Sequence, residues 1–264
     1  MDFNEIIYEK REGIARVTIN RPERYNAFTA LTLEEMHTAF RDAWADKEVG
    51  VVVLTGIGDK AFCTGGDQKT KDDDGYGKGT AAFGLLDAHG QVINIIRAIP
   101  KPEIAMVNGN AIGGGHVLQV VCDLSIASET AIFGQAGPRV GSFDAGYGTV
   151  FLARIVGEKK AREIWYLCRQ YPAKEALAMG LVNKVVGPDK LEQEVDVWCR
   201  EILEKAPYTL AYIKASFNAD TDHVNGIGVM AKHALNLYYK TDESHEGVQA
   251  FVEKRPPEFS KFRK

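Results

Sequence analysis

From Ile6 to Ile19 apolar and polar residues alternate well enough for two strands, with a polar turn near Arg11 to Gly13. The spacing predicts a hairpin that Pro22 ends. The period then changes. In TALTLEEMHTAFRDAWAD, Leu33, Met36, Phe40 and Trp44 recur at helical spacing. VGVVVLTGIG reads as a buried strand and a glycine turn. AMVNGNAIGGGHVLQVVCDLSIAS reads strand, glycine loop, helix, strand. KKAREIWYLCRQ and AKEALAMG read as helices, the second capped by Gly180, and KLEQEVDVWCREILEKAP as another, stopped by Pro207.

Strands and helices thus alternate through the first two thirds of the chain, the pattern of an α/β protein. After Pro207 the chain is mostly helical and ends in a basic tail, so the pattern divides it into a core, 1–206, and a helical region, 207–264. No internal repeat is visible. KTKDDDGYGKGT, Lys69 to Thr80, is polar and glycine-rich and is expected to be a mobile loop that orders on ligand binding.

Composition narrows the classes. The 264 residues suffice for a large core, and a net charge of −4 gives nucleic-acid binding no global electrostatic support. The longest apolar runs, such as Val51 to Leu54, are far short of a membrane span. The start, MDFNEIIYEK, is acidic and lacks a signal-peptide core. Cys63, Cys122, Cys168 and Cys199 show no CxxC spacing, so reduced thiols in a cytoplasmic protein are expected.

Two glycine clusters follow the buried strands: FCTGGDQK, Phe62 to Lys69, and AIGGGHVL, Ala111 to Leu118. Glycines there let backbone N–H groups turn toward one ligand atom, and two such donors make an oxyanion hole. Tight strand-to-helix turns need the same glycines. No GxGxxG opens a helix, which excludes the usual dinucleotide fingerprint. A third glycine-rich stretch, FGQAGPRVGSFDAGYG, carries one hydroxyl, Ser142, and one carboxylate, Asp144. Asp144 would also suit a loop-capping Asx turn.

With NRPERYNAF near the start, the clusters resemble the crotonase (enoyl-CoA hydratase/isomerase) superfamily, from Ile6 to about Phe262. The resemblance implies an α/β spiral of repeated ββα turns, a C-terminal helical region that forms trimers or hexamers, and an acyl-CoA substrate. The oxyanion hole would be the N–H groups of Gly66 and Gly114. Hydratases of the superfamily carry two catalytic glutamates. This chain has Val117 and Gly137 at those positions. Water addition needs a positioned acid and base, so a plain hydratase is not expected.

GPRVGSFDAGYG and GGGHVL look instead like 1,4-dihydroxy-2-naphthoyl-CoA synthase, which closes a ring, and 2-ketocyclohexanecarboxyl-CoA hydrolase, which opens one. In both, the matching serine and aspartate belong to the active site, and Gly137 leaves room for a bulky acyl group. DDDGYGKGT and ALNLYYKTDESHEGV look more like the hydrolase, whereas His116 matches the synthase. Tyr76 and Tyr239 match active-site tyrosines of the synthase, Tyr239 reaching a neighbouring subunit's pocket. Tyr239 would equally suit core packing beside Leu235 and Tyr238. The synthase holds bicarbonate as a base where this chain has Gly137, so bicarbonate extends to this chain by the same resemblance. No metal or redox cofactor is implied. Arg24 and Lys60 match positions near the CoA nucleotide, and Lys254 and Arg255 would serve from an adjacent subunit. His37, His89, His223, His233 and His245 show no metal-ligand pattern and read as surface or satisfied-core residues. The reading is a ring-opening C–C hydrolase of a cyclic β-keto acyl-CoA, with the synthase as its first alternative. A non-catalytic acyl-CoA- or RNA-binding relative is the alternative of another class.

Overall fold

The computed structural model describes residues 2–72, 75–76, 81–143 and 147–263; the side chains of 71–72 and 75–76 fall outside that description. Strands β1 (Ile6–Arg11) and β2 (Ile14–Ile19) form the expected antiparallel hairpin, and α1 (Ala30–Ala45) follows. Next come β3 (Val51–Gly56), β4 (Ala61–Cys63), β5 (Lys71–Asp72), β6 (Gly75–Tyr76) and α2 (Leu85–Ala98). The pattern strand, strand, helix recurs twice more. It gives β7 (Glu103–Val107), β8 (Asn110–Ile112) and α3 (Gly114–Val121), then β9 (Leu124–Ser128), β10 (Ile132–Gly134) and α4 (Tyr147–Val156). After α5 (Glu158–Leu167) come β11 (Gln170–Pro172), α6 (Ala173–Ala178), β12 (Lys184–Val186) and α7 (Leu191–Leu203). The helices α8 (Pro207–Ala219), α9 (Val224–Tyr238) and α10 (Asp242–Val252) end the chain.

The turns β3–β4, β7–β8 and β9–β10 each place their first strand in one sheet and their second in another, whereas β1 and β2 both lie in the larger sheet. The larger sheet runs β1-β2-β3-β7-β9-β12, parallel from β2 onward, and the smaller runs β11-β10-β8-β4. The ββα spiral is therefore a real structural repeat, although no repeat is visible in the sequence. Its turns share topology and burial pattern, not residues.

The two sheets enclose the main core. Val52, Leu54, Ala105, Val107 and Ala127 point inward toward Phe62, Leu118 and Phe133. Val51, Val53, Ile104 and Ile126 face the other way, onto Leu191, Val195 and Cys199 of α7. Burial on both faces explains why VGVVVL is continuously apolar rather than alternating. Helix α1 starts at Thr29, whose hydroxyl accepts from the Thr32 N–H at 3.2 Å. It buries Leu33, Met36 and Phe40 completely. Trp44, expected on the same stripe, is 43% exposed because it lies in the last turn, past the packed face.

Pro207 does not stop α7, which ends at Leu203. It occupies the first turn of α8, where a missing N–H costs nothing. Helix α8 is held to the spiral by a buried lysine. Lys214 Nζ donates to the carbonyls of Ile96 (2.9 Å) and Lys101 (3.1 Å) and pairs with Glu103 and, at 3.0 Å, Asp123.

Candidate active site

The site forms where β4 and β8 end side by side. After β4 the chain turns through Gly65 at φ +84°. A Cβ on Gly65 would lie 2.9 Å from the Gly114 backbone nitrogen, so only glycine permits this approach. After β8 the chain enters α3 so tightly that a Cβ on Gly115 would sit 2.0 Å from the Cys63 carbonyl oxygen. The segment around Gly66 is fixed from the other side. Phe28 N–H donates to the Gly65 carbonyl (2.8 Å), and the Phe28 carbonyl accepts from Asp67 N–H (2.9 Å). Those two bonds flank Gly66, and its own N–H has no acceptor among the described residues. Gly114 is the first residue of α3, so its N–H has no intrahelical acceptor.

Both glycines line one open cleft of about 700 Å³. Two unsatisfied backbone donors, one at a helix N-terminus, can stabilise an oxygen that gains negative charge. Val117, three residues along α3, faces the same cleft. His116 does not. It lies on the far side of the helix, fully buried against Phe133, with Nδ1 3.0 Å from the Gln135 amide nitrogen. Burial pushes its pKa down to about 4. The structure therefore separates it from the cleft and lets it orient Gln135, which does line the cleft.

Gly137, Val140, Ser142, Phe143 and Tyr239 line the same cleft. Ser142 Oγ and the Tyr239 hydroxyl are 2.9 Å apart. Tyr239, at the C-terminal end of α9, lines the cleft of its own chain. Helices α9 and α10 fold back over the loop at 137–143; the Ser244 hydroxyl donates to the Gly141 carbonyl at 2.7 Å. Burial pushes the Tyr239 phenol up to about 12, so it remains a protonated donor at neutral pH. Gly137 leaves less room than a missing glutamate implies. A Cβ there would come within 3.1 Å of the Ser142 carbonyl oxygen, because the 137–142 turn closes on itself. Asp144 lies outside the described residues, as does the side chain of Tyr76, whose backbone belongs to β6.

The expected CoA cations lie apart from the acyl side of the cleft. Arg24 forms a two-pronged bond to Asp67, at 2.9 and 3.1 Å, and Arg21 adds a third contact at 3.0 Å. Burial pushes the Asp67 carboxyl up, but these arginines and the Lys69 N–H outweigh it and hold it below the usual range. Arg24 thus anchors the turn that carries Gly66 and adjoins the cleft indirectly. Lys60 is exposed in the turn before β4, and Lys254 is exposed after α10. Arg255 pairs with Glu246 at 2.6 Å and with Glu253 at 2.6 Å.

Lining residues that the sequence reading did not assign to the site include Phe28, His89 and Trp165. His89 and Trp165 are polar side chains set among apolar helix positions, and that interruption was the available signal. Among the described residues, the cleft is lined by no carboxylate; its titratable side chains are His89 and Tyr239.

A two-sheet spiral with a pair of backbone N–H groups over an open cleft is an arrangement that can stabilise an oxygen gaining negative charge. The enoyl-CoA hydratase/isomerase family profile matches residues 9–262, and the chain belongs to that family, within the crotonase superfamily of acyl-CoA enzymes. An enoyl-CoA hydratase from Mycobacterium avium subsp. paratuberculosis K-10 superposes with a TM-score of 0.84 at 28% identity, covering 98% of this chain and 100% of that one. EchA1_1 from Mycobacterium paratuberculosis gives 0.86 at 29%, with coverage of 98% and 100%. Carnitinyl-CoA hydratase from Mycobacterium avium gives 0.84 at 30%, with coverage of 97% and 98%.

Proposed function

We propose that the enzyme opens the ring of a cyclic β-keto acyl-CoA by hydrolysing a C–C bond. The observation that carries this reading is the hydroxyl pair, Ser142 and Tyr239, lining the same cleft as the N–H pair. Val117 and Gly137 stand where hydratases of the superfamily carry their glutamates. In the proposed reaction the N–H groups of Gly66 and Gly114 hold the thioester oxygen. Asp144, two residues beyond Ser142, takes a proton from water, and the water oxygen adds to the ring ketone carbon. The bond from that carbon to the α-carbon breaks. Its electron pair enters the thioester as an enolate, which the N–H pair stabilises. A proton returns to the α-carbon and leaves a dicarboxylic acid mono-CoA thioester. One water is consumed, and CoA stays attached.

The Trp165 indole N–H supports a place for a small anion on the same side. It is buried without a partner among the described residues, and Trp165 lines the cleft with Gly137 and Ser142. These residues fit bicarbonate, which when bound would supply a further base, as in the ring-closing synthase. Exposed apolar side chains on α8 and α9, including Tyr208, Tyr212, Phe217, Met230 and Leu237, support self-association as a trimer or hexamer.

Mass spectrometry tests the assignment. The purified protein should add one water to 2-ketocyclohexanecarboxyl-CoA, with ¹⁸O from labelled water entering the new carboxylate. Loss of water from o-succinylbenzoyl-CoA would favour the synthase. Hydration of crotonyl-CoA would return the protein to the hydratases, and no turnover of any of the three would favour a binding protein.

A further inference from the structure

We propose that His89 donates a hydrogen bond from its imidazole N–H to the ring ketone oxygen of the bound acyl group and holds the alkoxide that forms when water adds there. The proposal rests on the ring-opening reading and assigns that reaction a second oxyanion site. The first, at Gly66 and Gly114, serves the thioester oxygen. The tetrahedral adduct at the ring carbon also carries a charge, which needs a donor of its own.

Three observations place His89 there. Its helix face is otherwise apolar: Leu85, Ala88, Val92, Ile93 and Ile96 are buried around it. A histidine on such a stripe needs a partner, yet neither ring nitrogen has a hydrogen-bond partner among the described residues. The ring lies flat on Phe28, with centroids 5.4 Å apart and planes at 24°. Phe28 in turn abuts Gly114, where a Cβ would lie 2.7 Å from the Phe28 ring. The imidazole is thus held by a stack that begins at the first oxyanion site. Finally, Leu86, His89 and Val117 line both the cleft and an adjoining open pocket that Asn94, Tyr147, Asn225 and the ion-paired Asp87 and Lys232 also border. A ring extending past Val117 enters the space that His89 lines. Burial pushes the His89 pKa down to about 4, so the ring is neutral at pH 7 and carries one N–H.

The addition step balances without another reactant. Water loses a proton to the base, its oxygen bonds the ketone carbon, and the carbonyl π pair becomes the alkoxide that the His89 N–H holds. When the C–C bond breaks, that alkoxide becomes a carboxyl oxygen.

The test uses the full chain, with His89→Leu and His89→Gln. Calorimetry compares two ring ligands that lack the scissile ketone, 2-hydroxycyclohexanecarboxyl-CoA and cyclohexanecarboxyl-CoA. The wild type should bind the hydroxy ligand at least about fivefold more tightly, as expected of one added hydrogen bond. His89→Leu should lose that preference while binding cyclohexanecarboxyl-CoA within about twofold of wild type, and His89→Gln should keep part of it. On 2-ketocyclohexanecarboxyl-CoA, His89→Leu should lower kcat about 10²-fold, the usual effect of removing one oxyanion donor. The ligand-free Leu variant should melt no lower than wild type, since it removes an unpartnered buried nitrogen. An unchanged ligand preference in His89→Leu, none in the wild type, or an equal loss for both ligands would overturn the assignment. A wild type that makes no ring-opened product would sink the ring-opening reading instead, and the ligand preference would still judge His89.

Discussion

Gly65→Ala isolates the oxyanion hole because the structure fixes what the added methyl meets. Gly65 sits at φ +84°, where an alanine is disfavoured by about 1–2 kcal/mol. The new Cβ would lie 2.9 Å from the Gly114 nitrogen and 3.3 Å from the Ile112 carbonyl oxygen. Both are backbone atoms, so relief must come from moving the start of α3. That shift carries the Gly114 N–H away from the thioester oxygen. Losing one such donor costs about 10²–10³ in kcat, or roughly 2.7–4 kcal/mol of transition-state stabilisation. Gly58→Ala is the matched control. It has φ +78° and nothing within 4 Å of its would-be Cβ, so it carries the backbone strain without the collision. Both variants should lose stability in urea, Gly65→Ala by more. Only Gly65→Ala should lose turnover of the cyclic substrate and exchange of the α-hydrogen of cyclohexanecarboxyl-CoA with D2O. A folded Gly65→Ala protein that exchanges that hydrogen at near the wild-type rate would refute the role of this N–H pair.

Asp144→Asn should reduce kcat about 10²–10⁴-fold with CoA binding nearly intact; near-normal kcat would remove Asp144 from the mechanism. Tyr239→Phe should lower kcat by about tenfold or more while shifting the thermal midpoint little, since one hydrogen bond contributes only about 0.5–1.5 kcal/mol. Lys214→Met should destabilise the fold by about 3–5 kcal/mol in urea titration, because Glu103 and Asp123 lose their buried cation. Glu246 bears on acid stability. Hydrogen bonding from Arg255, then from the Glu258 N–H, lowers its carboxyl from 4.5 to about 2. A depressed folded pKa contributes stability that is complete above about 4.5 and is lost as the pH falls toward 2. Glu246→Gln should therefore flatten the pH dependence of the melting temperature within that window; an unchanged slope would show that the pair contributes nothing there.

Local pattern alone determined much of this protein. Alternation marked the β1–β2 hairpin, helical spacing marked α1, and the all-apolar run at Val51 marked a strand covered on both faces. The glycine clusters could be read as backbone donors because glycine's freedom is a property of the residue itself. The substitutions Val117 and Gly137 are equally legible, since the chemistry they lack does not depend on context. What the sequence could not determine is which side chains share a cavity. His116 adjoins the glycines in the chain yet faces away, because two residues on a helix turn through more than half a circle. His89 looked ordinary because its Nε2 is orphaned only once Phe28 and α3 pack around it. Tyr239 and Ser142 are separated by almost a hundred residues, and only the return of α9 and α10 over the loop at 137–143 brings their hydroxyls to 2.9 Å. Arg24 looked like a free cation until the fold set Asp67 against it. Periodicity and glycine content act over a few residues, so the sequence carries them directly. Partnership between distant side chains is decided by packing, and there the tertiary structure chose.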